Sequence, residues 1–416
     1  MNFISSDIDP HNLDDHDNLK SLKENFNFPL SNPIYLCGHS LGLQPKSADK
    51  LVREELDAWK NLAVEAHMNA DNPWFDYHSL LTKSMSTIVG SKNKETVVMN
   101  SLTTNLHLLM ISFFKPNKYK YKIIIDTPAF PSDKYAVQSQ LKLHGLDPEK
   151  DLIEINTFIN NECISKEEML EKIKSNINDT AMILLSGINY YTGQLYDIKS
   201  ITELAHKYDC ILGLDLAHAA GNVKLDLNNW GVDFASWCGY KYLNGGPGAP
   251  SGAFIHERYH NKKLNRLEGW WGHDKKTRFN PPNLFKQINS AEAWQLSNPP
   301  ILSMAALRGS LELFDKIGMD ALTEKSKKLT GYLEYLIQKM DNKKISIITP
   351  QKMDERGSQL SLQIKSKDIN IENFFKSKNI LCDFRKPNII RAAPCAFYNS
   401  YYDIYRFVDA LKKYEK

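Results

Sequence analysis

The stretch Ile211-Leu-Gly-Leu-Asp-Leu-Ala-His-Ala-Ala-Gly221 decides the fold. An apolar run of strand length ends in Asp215, His218 follows three positions later, and small residues then take over. A short apolar run that stops at a polar residue reads as a buried strand of a parallel sheet. Its polar end then lies at the carboxyl edge, where open α/β sheets bind ligands. Downstream, Lys241 stands 26 positions after Asp215, inside Trp237-Cys-Gly-Tyr-Lys-Tyr-Leu-Asn-Gly-Gly-Pro-Gly248. An acid at a strand end, an imidazole close by and a lysine in a glycine-rich setting are the parts of a pyridoxal-phosphate site. The lysine amine can hold the cofactor's aldehyde carbon, and the carboxylate can pair with the pyridinium nitrogen. Singly, each has a plainer reading: a helix cap, a satisfied interior histidine, a solvated lysine. The joint arrangement favours the cofactor.

The neighbouring sequence fits that strand into a sheet. Apolar runs at Tyr121–Asp126, Ala181–Ser186, Asp233–Trp237 and Gly252–His256 alternate with helical segments. This is the pattern of an α/β fold with a mostly parallel sheet and helices on both faces. Ser186, like Asp215, ends its run. Leu102-Thr-Thr-Asn105 opens an apolar helix from Leu106 to Phe114, whose free N–H groups suit a phosphate. The loop Pro128–Asp133 leads into a helix expected from Lys134, and Phe130 on it can stack against a flat ring. Arg391 ends a strand over 388–391, where a guanidinium can grip a carboxylate in bidentate fashion; alone it reads as a structural ion pair.

Residues 1–33 are polar and predict a loosely held arm with a short helix over 19–26. The segment 35–45 is turn-rich, and its glycines predict close approach of the backbone to a neighbour. Val52, Leu56, Trp59, Ala63 and Ala66 recur at helical spacing and predict an amphipathic helix; a second is expected over 80–89. A helix over 301–317 leads out of the large domain, followed by a strand over 358–364 and a final helix over 401–413 capped by Asn399-Ser400. The expected organisation is an N-terminal arm and helices at 1–70 that form part of the small domain. A large domain then covers 71–315, and a C-terminal small α+β domain covers 316–416.

With 42% hydrophobic and 24% charged residues and a formal charge of +3 over 416 residues, the composition is globular. No basic cluster points to nucleic acid, and no apolar run is long enough to span a bilayer. Six scattered cysteines without metal-ligand spacing, and an acidic N-terminus, predict a cytoplasmic protein.

Seven motifs in order make the chain resemble the kynureninase family over nearly its whole length. They are Ser40-Leu-Gly-Leu-Gln-Pro-Lys46, Ala129-Phe-Pro-Ser-Asp133, Tyr191-Thr-Gly-Gln194, Asp215-Leu-Ala-His-Ala219, Tyr240-Lys-Tyr-Leu-Asn244, Gly269-Trp-Trp-Gly272 and Ser297-Asn-Pro-Pro300. The resemblance implies the aspartate-aminotransferase fold: a large pyridoxal-phosphate transferase-like domain on a mostly parallel seven-stranded sheet, plus a smaller α+β domain. It implies pyridoxal 5'-phosphate held at Lys241, paired through Asp215 and flanked by His218. Leu102, Thr103, Phe130, Ser132, Asp133, Ser186 and Tyr240 complete the pocket, and Trp270 and Asn298 reach the cofactor site.

The resemblance further implies a homodimer in which some of these residues come from the partner subunit. His67, Ser297 and Asn298 lie around the substrate's aromatic ring as in the eukaryotic type, and Arg391 takes the carboxylate. The implied reaction is hydrolytic Cβ–Cγ cleavage of 3-hydroxykynurenine, and of kynurenine, to 3-hydroxyanthranilate or anthranilate and L-alanine. This chemistry belongs to tryptophan catabolism and NAD biosynthesis. Tyr240 is the expected proton relay, with Lys241 and Asp215 as the other catalytic residues.

Two features depart from the family pattern. His39 stands where an asparagine is expected, and Gly245-Gly-Pro-Gly248 resembles the bacterial loop. The rivals are another enzyme of the same cofactor class, such as a cysteine desulfurase or class V aminotransferase, and a cofactor-binding protein without catalysis. A desulfurase usually has histidine before its lysine and a mobile catalytic cysteine; here Tyr240 precedes Lys241, and Cys382 and Cys395 lie near apparent strands. Intact Lys241, Asp215 and Arg391 argue against a non-catalytic protein.

Overall fold

A computed structural model describes residues 9–280, 284–340, 344–365 and 370–414. Seven strands form the central sheet: β1 (Thr96–Met99), β2 (Lys122–Thr127), β3 (Leu152–Asn156), β4 (Thr180–Ser186), β5 (Ile211–Asp215), β6 (Phe234–Trp237) and β7 (Ser251–Ile255). Their spatial order is β1-β7-β6-β5-β4-β2-β3, with β7 antiparallel to both neighbours and the remaining pairs parallel. β4 and β6 are covered on both faces, which explains their nearly unbroken apolar sequence. Two strands escape a reading of the sequence. β1 is four residues long and runs directly into the site helix, and β3 is a half-buried edge strand that carries Glu154 in mid-run.

Among the described residues, ten helices of seven or more residues accompany the strands. In chain order they are α1 (Lys46–Leu62), α2 (Ser79–Val89), α3 (Leu102–Phe113), α4 (Pro131–Leu143), α5 (Lys166–Asn176), α6 (Ile198–Lys207), α7 (Ile301–Ile317), α8 (Met319–Gln338), α9 (Ile371–Ser377) and α10 (Tyr401–Tyr414). A second, antiparallel sheet of β8 (Ile345–Ile347), β9 (Leu360–Ile364), β10 (Asp383–Arg385) and β11 (Ile389–Ala392) has the order β8-β9-β11-β10. With α8, α9 and α10 it encloses its own apolar cluster, including Leu329, Leu362, Phe375 and Phe407. The first seventy residues divide between the two cores. Ile34 and Leu36 join the small sheet's cluster, while Leu22, Phe26, Leu43 and Leu51 join the central one.

Three local expectations are corrected. The arm from residue 9 onward is docked, not loose. Asp9 caps a short helix, Asp14 accepts from the N–H groups of Tyr401 and Tyr402, and Asp17 pairs with buried Lys325 at 2.7 Å. Residues 1–8 lie outside the described residues.

Helix α4 begins at Pro131, three residues earlier than expected, because proline is pre-set for the first helical position. Ser132 and Asp133 therefore occupy its first turn. In α1 the buried face is Ala48, Leu51 and Glu55, whereas Leu56 and Trp59 are exposed. Glu55 is drawn inward by the indole N–H of Trp74 at 2.8 Å. The apolar stripe thus identified the helix correctly but not the side that packs inward.

Candidate active site

The strand ends that carry Ser186 and Asp215 lie on the wall of a cavity. Ser186, Asp215 and Ser236 are register partners at the carboxyl ends of β4, β5 and β6. Asp215 is buried there, and its Oδ1 accepts the Ala217 N–H at 2.7 Å. That bond turns the chain sharply and carries His218 over the strand end. Lys241 arrives from the loop after β6. Gly42 N donates to the Tyr240 carbonyl at 2.9 Å, and a Cβ at Gly42 would lie 2.5 Å from the Lys241 carbonyl oxygen. Gly42 is thus one glycine of the 35–45 segment at which the expected close approach occurs.

Ten of the predicted residues line this one cavity: Leu102, Thr103, Phe130, Ser132, Asp133, Ser186, Asp215, His218, Tyr240 and Lys241. The Lys241 ammonium lies 3.1 Å from His218 Nε2 and 5.7 Å from the centre of the Phe130 ring. Burial, then the charges of Lys241 and Arg391, hold His218 well below the ordinary histidine range, so its neutral ring can accept from the lysine. Burial and the adjacent Asp215 carboxyl push Asp133 well up, toward its protonated form. Burial, followed by the neighbouring Cys238, raises the Tyr240 phenol, which therefore keeps its proton at neutral pH. The N-termini of α3 and α4 open together on the cavity, joined by a 2.8 Å hydrogen bond between the Thr103 and Ser132 hydroxyls.

Five predicted residues do not line this cavity: His67, Trp270, Ser297, Asn298 and Arg391. His67 packs edge-on against Trp74, and its Nδ1 lies 3.0 Å from the Val64 carbonyl. Trp270 is half-exposed and donates to the Arg278 carbonyl, and Ser297 and Asn298 are exposed. Phe75 and Phe279 bridge His67 to Trp270, so these groups make a second patch on the molecule. Arg391 is fully buried behind Tyr190, a cavity-wall residue, and Nη1 donates to the Tyr190 carbonyl at 2.8 Å.

Sequence reasoning missed Asp126 and Tyr190. Asp126 lies on the cavity wall and accepts from Ser186 N and Oγ, Asn189 Nδ2 and Tyr196 OH at 2.6–3.0 Å, which fixes Ser186 in place. Its signal was available, since it closes an Ile-Ile-Ile run as Asp215 closes its own. Tyr190 carries no comparable signal.

Comparison with known proteins completes the description. A protein named kynureninase from Myxococcus xanthus (strain DK1622) is 47% identical over 415 residues, covering 99% of this chain and 97% of that protein. Another, from Flavobacterium psychrophilum, is 46% identical over 408 residues, 96% of each. The chain belongs to the kynureninase family. Residues 322–411 also match the family described as the kynureninase C-terminal domain. The chain is accordingly a pyridoxal-phosphate-dependent hydrolase acting on a carbon–carbon bond.

Among solved structures, a cysteine desulfurase from Thermococcus onnurineus NA1 superposes with a TM-score of 0.77 at 16% identity, over 95% of this chain and 97% of that one. A C-DES variant with glycine linked to its pyridoxal-phosphate cofactor gives 0.77 at 14%, over 92% and 97%. These two share the fold alone. Burial raises the thiols of Cys382 and Cys395, the reverse of the activation a desulfurase cysteine needs.

The residues present fit the cofactor. Asp133 Oδ1 and His218 Nδ1 are buried on the cavity and have no partner among the described residues, so each can serve a ligand. No helix among the described residues is long and apolar enough to cross a membrane.

Proposed function

We propose that the chain cleaves the Cβ–Cγ bond of kynurenines by hydrolysis, with 3-hydroxykynurenine as the preferred substrate. The observation that carries this reading is the convergence of Lys241, Asp215, His218, Tyr240, Phe130 and two helix N-termini on a single cavity. Bound there, pyridoxal phosphate supplies an electron sink for the carbanion formed at the substrate's α-carbon.

Lys241 holds the cofactor's aldehyde carbon and, once released, carries the α-proton; neutral His218 at 3.1 Å is placed to receive or steady it. Asp215 pairs with the ring nitrogen, and Asp133 beside it moderates their combined charge. The Thr103–Ser132 pair and the free N–H groups of α3 and α4 take the phosphate. Tyr240 enters protonated and relays protons: it donates to the γ-carbonyl oxygen as water adds and takes back the proton that water sheds, then donates to the β-carbon as a hydroxyl of the hydrate returns its proton to the phenol. Arg391 takes the α-carboxylate.

The placement of His67, Trp270, Ser297 and Asn298 away from the Lys241 cavity supports a homodimer in which a partner copy supplies them. Leu56, Trp59, Val64 and Met68 are 42%, 61%, 74% and 58% exposed, an apolar stripe of the kind that marks an interface. The deciding experiment is a Lys241→Ala variant: visible absorbance of the bound cofactor and turnover of kynurenine should both vanish. Normal absorbance in that variant defeats the site assignment. Higher kcat/KM for kynurenine than for its 3-hydroxy analogue in the native enzyme defeats the substrate preference.

A further inference from the structure

Arg391 is already engaged. Its Nη2 donates to Asp383 Oδ2 at 2.6 Å while Nη1 is held by the Tyr190 carbonyl. The small sheet makes this pairing unavoidable. Asp383 and Arg391 are direct partners across the antiparallel β10–β11 pair, so their side chains leave the same face. Two positions further along β10, on that face, Arg385 places Nε 2.9 Å from Asp383 Oδ1 and Nη2 3.0 Å from Oδ2. Ser40 Oγ donates to Oδ2 at 3.0 Å, and His39 Nε2 stands 3.6 Å from the same oxygen. Burial and Arg391 push the His39 ring down to about 4, so it adds no charge at neutral pH. Two guanidinium groups therefore face one carboxylate. The surplus is a single positive charge, next to the wall of the Lys241 cavity.

We propose that Asp383 is a shared counter-ion: it occupies Arg391 until a substrate carboxylate arrives, and Arg385 keeps it neutralised while Arg391 serves the substrate. This deepens the assignment of Arg391 to the α-carboxylate and rests on it. The surplus of one charge matches one carboxylate, so the filled site is neutral. Asp383 and Arg385 touch no reacting atom and are positioning residues. Without Arg385, a carboxylate bound at Arg391 leaves Asp383 as a charge only 14% exposed with no charged partner, held by the Ser40 hydroxyl alone, the costly outcome for any ion pair removed from water. Without the charge of Asp383, Arg391 has no internal competitor and Arg385 has nothing to neutralise.

The test is steady-state kinetics of the full-length holoenzyme with L-kynurenine, comparing Arg385→Gln, Asp383→Asn and the double variant. Inhibition by kynuramine, the same compound without its carboxylate, is measured alongside. Arg385→Gln should raise KM by about tenfold or more with kcat within about twofold. Asp383→Asn should leave KM equal or lower, the double variant should return to the Asp383→Asn value, and kynuramine inhibition should be unchanged throughout. An unaltered KM in Arg385→Gln, a raised KM in Asp383→Asn, additive effects in the double variant, or an equal loss with kynuramine each overturn the relay. Arg385 is 39% exposed, so its variant folds even where Asp383→Asn does not, and its KM alone then decides. Absence of turnover by the native enzyme defeats the functional reading itself, and the relay with it.

Discussion

Gly42→Ala tests whether the Lys241 loop is positioned by backbone contact from a distant part of the chain. A Cβ at Gly42 would lie 2.2 Å from Asn244 Oδ1, 2.5 Å from the Lys241 carbonyl oxygen and 2.7 Å from Asn244 Cα. Ordinary contact begins near 3.4 Å. The amide of Asn244 can swing aside, but the other two atoms are backbone, so the loop must move by about 1 Å. A displacement of that size at a reacting group costs about 100-fold in rate, and overpacking of this kind about 1–3 kcal/mol in stability.

Gly246 is the matched control. It has φ +83° and nothing within 4 Å of a Cβ, so Gly246→Ala pays only left-handed backbone strain, about 1–2 kcal/mol, without shifting Lys241. The assays are kcat/KM, thermal unfolding and cofactor absorbance for both variants. Native kcat/KM in Gly42→Ala, or an equal catalytic loss in Gly246→Ala, refutes positioning by contact.

Three further outcomes are expected. Burial opposes ionisation of Glu292, but hydrogen bonds from His78 and Lys275 outweigh it and bring the carboxyl from 4.5 down to about 2. A carboxyl lowered by folding stabilises the folded state above its unfolded value and loses that contribution as pH falls from about 4.5 toward 2. Glu292→Gln should therefore cost up to ~3 kcal/mol at neutral pH in denaturant titrations, with the gap closing below pH 4.5; a gap independent of pH contradicts the pairing. Trp59→Glu places a charge on the exposed apolar stripe of α1 and should shift sedimentation toward monomer and reduce turnover, whereas an unchanged dimer would locate the interface elsewhere. Asn298→Ala should lower kcat/KM more for 3-hydroxykynurenine than for kynurenine, and equal losses would remove its role in reading the hydroxyl.

What could be read from the sequence follows from how local each determinant is. Asp215, His218 and Lys241 were legible because a buried parallel strand needs an apolar run, and a polar residue that closes one must have a purpose at the sheet edge. Asp126 obeys the same rule, since it closes the run Ile123-Ile-Ile125. Its four hydrogen bonds come from residues 60 to 70 positions away, which no local pattern reveals. Asp383 is less visible still. Its meaning depends on the cross-strand register that sets it opposite Arg391, and a shift of one residue would send its side chain to the other face.

The stripe on α1 shows the converse. Its spacing is that of a core face, yet the burial in this chain goes to Ala48, Leu51 and Glu55, and Leu56 and Trp59 stay in contact with water. Periodicity reports that a helix face avoids water, not which molecule covers it. The same separation holds for the site. Nine predicted residues gather around Lys241 within one chain, while His67, Trp270, Ser297 and Asn298 lie outside that cavity. If one surface stripe and one displaced half-site have a common cause, it is a second copy of the chain. Trp59→Glu should then impair catalysis although Trp59 lines no part of the Lys241 cavity, and a catalytically normal monomer would break that link.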